Sequence, residues 1–264
     1  MKKLITVFIF LFSLKCFSQD TYFLGKTNYC TPQNTDSKKS FDAAISGLQF
    51  PKYYPAITSM LVKVIEKDPA YCDAYFLAGY YFRLQDMHKE ALALYYVADS
   101  LAQNKAANFK QNLAIEYMRF GAADKARAKY EEMIKYFPQN PEGYYGVANS
   151  SIVIGDYENG ISNLKKAENL YKETGKVNDD VKYMYGMLYA FKEDYEKSLP
   201  FFDEVFSSYK NDDNYLLFYS LSLIKVGKSK DDEKMIKKAK KTYERIKSKG
   251  RVDDLATMVK KELS

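Results

Sequence analysis

The sequence predicts an all-α fold assembled from repeated helix pairs, and three observations carry that expectation. First, a small residue recurs at Ala91, Ala126, Gly160 and Ser198, at intervals of 35, 34 and 38 residues. Second, fixed offsets around it hold fixed kinds of residue. Twelve positions upstream lies another small one (Gly79, Ala114, Ala148, Gly186). Four downstream lies a large one (Tyr95, Tyr130, Leu164, Phe202), and seven downstream an apolar one (Ala98, Met133, Ala167, Val205). Offsets of three, four and seven share one face of an α-helix. Third, the 264 residues are 47% hydrophobic and 28% charged, enough for a packed core and against wholesale disorder.

Taken in order, residues 1–18 read as a signal peptide. Met1-Lys2-Lys3 is a positive start, and residues 4–14 form an apolar run broken only by Thr6 and Ser13. Cys16 and Ser18 are small residues at the two positions that a signal peptidase inspects, which places cleavage after Ser18. The run is too short for a transmembrane helix, which needs about 20 apolar residues. The rival reading is a lipoprotein anchored at Cys16, but Lys15 stands where the small residue of a lipobox belongs. Export would put the mature chain in the periplasm or outside the cell. Residues 19–38 are polar and turn-rich and read as a tether. Cys30 and Cys72 could pair in an oxidising compartment or remain two free thiols, and the sequence leaves that open.

Residues 39–250 hold the repeats. Phe41, Ala44, Ile45 and Leu48, followed by residues 56–69, form a degenerate first pair with Pro51 and Pro55 in a longer turn. Phe120-Gly121, Gly155-Asp156-Tyr157-Glu158 and Glu193-Asp194-Tyr195-Glu196 supply the turns between paired helices in the middle units. Pro69 and Pro138 close units, because proline disfavours helical geometry in the residue before it. Tyr215, Phe218, Tyr219 and Ser222, then residues 235–246, form a last pair with an extended polar turn over residues 227–233. Residues 251–264 supply a short amphipathic capping helix, as expected where a stack must meet water.

This pattern resembles the tetratricopeptide repeat (TPR), a helix–turn–helix unit of about 34 residues. Tyr144-Tyr145-Gly146-Val147-Ala148 with Gly155-Asp156-Tyr157 and Leu164-Lys165-Lys166-Ala167 is the best match, and residues 75–98 are nearly as good. The resemblance covers about residues 40–250 and implies a right-handed TPR solenoid of five to six repeats with a C-terminal capping helix. The leader, ending Phe17-Ser18-Gln19, resembles signal peptides of Bacteroidetes bacteria.

In TPR proteins the first helix of each unit lines a concave surface that commonly holds an extended peptide or a partner helix. The matching positions are Phe76 and Tyr80, Gln111 and Ile115, Tyr145 and Asn149, Tyr183 and Met187. A carboxylate clamp of the family type needs lysines and asparagines there; only Asn149 keeps the type, so a clamp is not expected. What remains is an aromatic and apolar groove, with Phe76, Tyr80, Arg83, Ile115, Arg119, Tyr145, Asn149, Tyr183 and Met187 as its candidate residues. Tyr and Phe suit anchoring a partner, unless neighbouring helices cover the rings. Arg83 and Arg119 would orient a ligand or pair with nearby acids.

Composition excludes most catalysis. One histidine (His88) and no tryptophan leave no His-based triad and no histidine-rich metal site, and no cofactor is expected. His88 reads as a solvated turn residue. Gly227-Lys228-Ser229 lacks the earlier glycine and the strand of a phosphate loop. The sequon Asn149-Ser150-Ser151 falls within an expected helix. The paired acids Asp179-Asp180, Asp212-Asp213, Asp231-Asp232 and Asp253-Asp254 all precede expected helices, where carboxylates cap free N–H groups.

The net charge of +6 divides unevenly along the chain: +3 over residues 1–18, −4 over residues 19–224 and +7 over residues 225–264. Lys237, Lys238, Lys240 and Lys241 form a candidate basic surface on an amphipathic helix. It would face an anionic membrane, an acidic partner or plain solvent. Nucleic acid is not an expected partner of an exported chain. The functional expectation is a non-catalytic scaffold or adaptor binding a peptide or protein in the bacterial envelope. The alternative is an envelope-assembly or secretion component resembling the TPR lipoproteins of outer-membrane protein insertion. An enzyme or small-molecule sensor would need converging polar groups that no motif supplies.

Overall fold

The computed structural model describes residues 28–175, 179–247 and 254–263; the expected signal peptide and residues 19–27 lie outside them. The described residues form thirteen α-helices, with no strand among them, and divide into an N-terminal unit (residues 28–138) and a C-terminal unit (residues 139–263).

The N-terminal unit contains three helix pairs: α1 (Thr35–Ser46) with α2 (Tyr54–Lys67), α3 (Cys72–Leu84) with α4 (His88–Leu101), and α5 (Ala107–Arg119) with α6 (Ala123–Tyr136). The Asn34 side chain caps α1 by accepting from the Asp36 N–H at 2.9 Å. Two short 3-10 turns, Gly47–Gln49 and Pro51–Tyr53, form the long first link, and α2 stops at Lys67, ahead of Pro69. Consecutive helices pack against each other throughout the unit. Where α3 and α4 meet, Gly79 lies under the Tyr95 ring so closely that a Cβ there would be 2.9 Å from ring carbons.

Residues 28–38 are not a tether. Asp73 accepts from the backbone N–H groups of Tyr29 and Cys30 at 2.9 and 2.8 Å, and Asp68 accepts from that of Gln33 at 2.7 Å. Cys30 and Cys72 are joined in a disulfide, with Cα atoms 5.6 Å apart. Polarity suggested a solvated segment, but its backbone N–H groups donate to two carboxylates that stand at the start of α3 and the end of α2. Residues 35–38 are already helical.

The C-terminal unit contains α7 (Pro141–Ile154) with α8 (Tyr157–Glu173), α9 (Asp179–Phe191) with α10 (Tyr195–Tyr209), α11 (Asp213–Ser229) with α12 (Glu233–Glu244), and a final α13 (Asp254–Leu263). The acids cap as expected: Asp212 accepts from the Tyr215 N–H at 2.8 Å and Asp232 from the Met235 N–H at 3.0 Å. Asp179 and Asp180 lie in the first turn of α9, and Asp253 lies outside the described residues. The turn expected over residues 227–233 is shorter, because α11 runs on to Ser229. Leu223, Ile224 and Val226 continue its buried side, and Gly227 lies under Ile236 of α12. Helix α13 packs on α11, where Glu262 meets Lys225 and Lys228 at 2.6 and 3.2 Å.

Candidate functional site

The nine groove candidates separate into two kinds. Phe76, Tyr145, Tyr183 and Met187 are buried, at 0, 3, 1 and 1% exposure. They are core residues and do not line an open groove, contrary to the expectation from sequence. Phe76 of α3 stacks on Phe109 of α5 at 4.3 Å. Tyr145 meets Tyr171 edge-on at 6.4 Å. Tyr183 is enclosed by Phe202 and Tyr209 of α10 and Tyr215 of α11, with ring centroids 4.8–6.1 Å away. The physical reason is size: a large ring at the first position of each pair reaches across to the neighbouring helices and fills the space between them. Tyr80, Arg83, Ile115, Arg119 and Asn149 are half-buried and keep surface to offer.

Four of these five belong to the N-terminal unit, where α3 and α5 bring polar groups together. The Arg83 guanidinium donates to Asn112 Oδ1 at 2.6 Å and lies 4.9 Å over the Tyr80 ring and 5.9 Å over that of Tyr95. Such stacking leaves the planar edge of an arginine as a donor surface. Glu116 is fully buried on α5. One of its oxygens, Oε2, lies 3.1 Å from His88 Nδ1 and 3.5 Å from Arg119 Nε. The other, Oε1, has no hydrogen-bond partner among the described residues, nor has the buried Tyr95 hydroxyl. Burial raises the Tyr95 phenol pKa; nearby Arg83 opposes the rise and Glu116 adds to it.

The sequence did not reveal His88 and Glu116 as a pair. His88 opens α4 and is half-buried against Glu116 instead of lying in a solvated turn. A signal existed in the lone acid among the buried residues of α5, but an acid on a helix without a known partner reads as solvated. Chemically, the cluster sets one guanidinium (Arg119) and an imidazole (His88) about the Glu116 carboxylate, with a second guanidinium (Arg83) bonded to Asn112 of α5. That arrangement can donate to oxygen atoms of a bound chain. It contains a histidine–carboxylate pair, but the described partners of His88 are only Glu116 and exposed Asp86, with no nucleophile between them.

A second polar cleft of about 460 Å³ lies in the same unit, bounded by Asp99, Gln103, Asn104, Lys110, Lys129, Glu132 and Tyr136. Buried Lys110 meets Asp99 at 3.0 Å and Glu132 at 2.5 Å, and Lys129 meets the same two acids at 2.9 Å. Burial works against the charge of Glu132, but Lys110 and Lys129 outweigh it and hold its pKa below the ordinary range. These four charges pair with one another.

Of the basic candidates in the C-terminal unit, Lys238 bonds Asp203 at 2.9 Å and lies 5.0 Å over the Tyr219 ring. Lys237, Lys240 and Lys241 are exposed. The Asp73 neighbourhood places two cysteines beside a carboxylate, but the disulfide leaves no thiolate to bind a metal. No helix among the described residues is long and apolar enough to cross a membrane.

No sequence-family model and no curated protein sequence matches the chain. Solved structures do. The chain is similar to the Cut9–Hcn1 hetero-tetramer of the APC/C, at 15% identity and a TM-score of 0.67 over 94% of this chain and 45% of that one. It thus spans under half the length of that neighbour. It is similar to YrrB, a TPR protein with an unusual peptide-binding site (16% identity, TM-score 0.56, 76% of this chain and 97% of that). It is also similar to PilW, a type IV pilus biogenesis factor (12% identity, TM-score 0.64, 86% of this chain and 99% of that). At these identities the likeness establishes the fold, which is that of TPR solenoids.

Proposed function

We propose that the chain is an exported, non-catalytic interaction scaffold that binds an extended peptide or partner protein along α3 and α5. The observation that carries this reading is the row of half-buried Tyr80, Arg83, Ile115 and Arg119 on successive first helices of the N-terminal unit. An aromatic and an aliphatic surface flanked by two guanidiniums suits a chain with apolar side chains and exposed carbonyl or carboxylate oxygens. YrrB, which has the same fold, is a peptide binder, and that supports the reading. The Cys30–Cys72 disulfide supports export, since such bonds persist in oxidising compartments and the leader has the required pattern.

The test is direct. Peptides selected against the purified mature chain should lose at least about tenfold in affinity when Tyr80→Ala and Ile115→Ala are combined. They should keep their affinity in Tyr96→Ala, an exposed position on α4. Equal binding by all three proteins would overturn the assignment. For export, the mass of the protein recovered outside the cytoplasm should lack residues 1–18. A second reading, a component of envelope assembly or secretion, is favoured by the likeness to PilW; it predicts that the bound partner is itself an envelope protein.

A further inference from the structure

The C-terminal unit carries a second feature that peptide binding does not use. A cleft of about 320 Å³ opens between α12 and α13, lined by Lys240, Tyr243, Glu244, Lys260 and Leu263. Tyr243 and Leu263 give it an apolar floor, and Lys240 and Lys260 stand at its rim. Neither lysine has an ion-pair partner among the described residues, and the same holds for Lys237 and Lys241 on α12. On α13, Glu262 is already taken by Lys225 and Lys228 and makes no ion pair with Lys260. Glu244 is the single carboxylate of the lining.

Two further facts narrow the ligand. Helix α12 buries Ala239 and Thr242 and half-buries Met235, Ile236 and Tyr243, so little apolar surface is left on it to insert into lipid. Its attraction to a surface must therefore be electrostatic, supplemented by what enters the cleft. The charge is also local: residues 225–264 carry +7 while residues 19–224 carry −4, so an anionic surface would attract this end of the chain.

We propose that the α12–α13 cleft binds a phosphate headgroup of an anionic phospholipid bilayer. Lys240 and Lys260 hold the phosphate, the Tyr243 ring and Leu263 receive the glycerol region, and Lys237 and Lys241 meet adjacent headgroups. A lipid surface explains both halves of the site. Its repeating phosphates match a row of lysines, and its glycerol region matches the apolar floor.

The experiment uses the whole mature chain and vesicles of phosphatidylcholine with or without phosphatidylglycerol. At low salt the protein should co-sediment with the phosphatidylglycerol vesicles and not with pure phosphatidylcholine. Each lysine near an anionic leaflet contributes a factor of about five in partitioning. The double variant Lys240→Gln/Lys260→Gln should therefore bind roughly 25-fold more weakly, while Lys38→Gln/Lys39→Gln in the N-terminal unit should bind like wild type. Tyr243→Ala should lose the part of binding that survives added salt, with circular dichroism confirming that each variant is folded. Three results would overturn the proposal: no preference for phosphatidylglycerol, unchanged binding by the Lys240/Lys260 variant, or saturable binding of free glycerol phosphate without vesicle binding. Peptide affinity at α3 and α5 is read separately, so failure of either proposal leaves the other standing.

Discussion

Gly186 of α9 faces the ring of Phe202 on α10 so closely that a methyl group at position 186 would lie 2.5 Å from a ring carbon. The two residues are the small and large members of one repeat, and the close helix crossing is made by their difference in size. Gly186→Ala should therefore destabilise the protein by about 1–3 kcal/mol through overpacking, partly offset by alanine's better helix propensity. Gly79→Ala, which would place its methyl 2.9 Å from the Tyr95 ring, should cost less. Urea unfolding followed by circular dichroism gives the order, and a G186A variant as stable as wild type would sink this account.

That pairing also shows what a sequence can display. The offsets between small and large residues register packing inside one helix pair, which is local, and all the expected pairs are present. The groove was only half legible. Met187 and Tyr80 occupy the same place in their repeats, one residue after the small Gly186 and Gly79, yet Met187 is buried and Tyr80 is half-buried beneath an arginine. Which outcome occurs depends on residues from other repeats, at distances in sequence that no periodicity encodes. The strap of residues 28–34 was hidden for the same reason, since Asp68 and Asp73 recognise its backbone and not its side chains.

Core and surface candidates should separate in experiment. Phe76→Ala and Tyr183→Ala remove fully buried rings and should each cost about 3–5 kcal/mol of stability. Tyr80→Ala should cost less than about 1.5 kcal/mol and act on ligand affinity instead. Thermal melts of the three variants, read beside peptide binding, check both halves. A Tyr183→Ala protein of unchanged stability with lost binding would restore that residue to the groove.

The disulfide closes a loop of sequence separation 42 that contains α1 and α2. The chain-entropy relation assigns such a loop about 4 kcal/mol. Paired Cys30→Ser and Cys72→Ser substitutions, or a reducing agent, should lower stability by that order. Hydrogen exchange should rise first in α1 and α2, because the strap hydrogen bonds at Asp73 and Asp68 lose their covalent backing. If reduction leaves the unfolding midpoint unchanged, the strap is held by those hydrogen bonds alone.

Alkali should unfold the protein through its tyrosines. Burial raises the phenol pKa of Tyr183, Tyr215 and Tyr219, and pushes that of Tyr195 up to about 12. A group whose folded pKa lies above its unfolded value of 10.0 stabilises fully below that value and loses its contribution as pH rises. Stability should therefore be level up to about pH 10 and fall beyond it. Phenolate absorbance should increase in two stages, exposed tyrosines first and the buried set only with loss of the helical signal. A single smooth titration without unfolding would contradict the burial of these rings.

Acid works at the other end of the chain's charge network. Burial alone would raise the pKa of Glu132, but Lys110 and Lys129 pull it below 4.5, so its contribution is present above that value and fades as pH falls through the lowered one. Removing Lys110, itself 1% exposed, leaves Asp99 and Glu132 sharing the half-exposed Lys129. Lys110→Met should cost about 3–5 kcal/mol at neutral pH, the usual result of deleting one partner from a buried ionic group. Its deficit should then shrink on acidification, since protonating the under-compensated Glu132 relieves its repulsion of the neighbouring acid. Wild type moves the opposite way over the same range. Denaturation curves for both proteins from neutral pH to below the carboxylate range would therefore converge, and parallel curves would mean that Lys110 acts through its packing and not its charge.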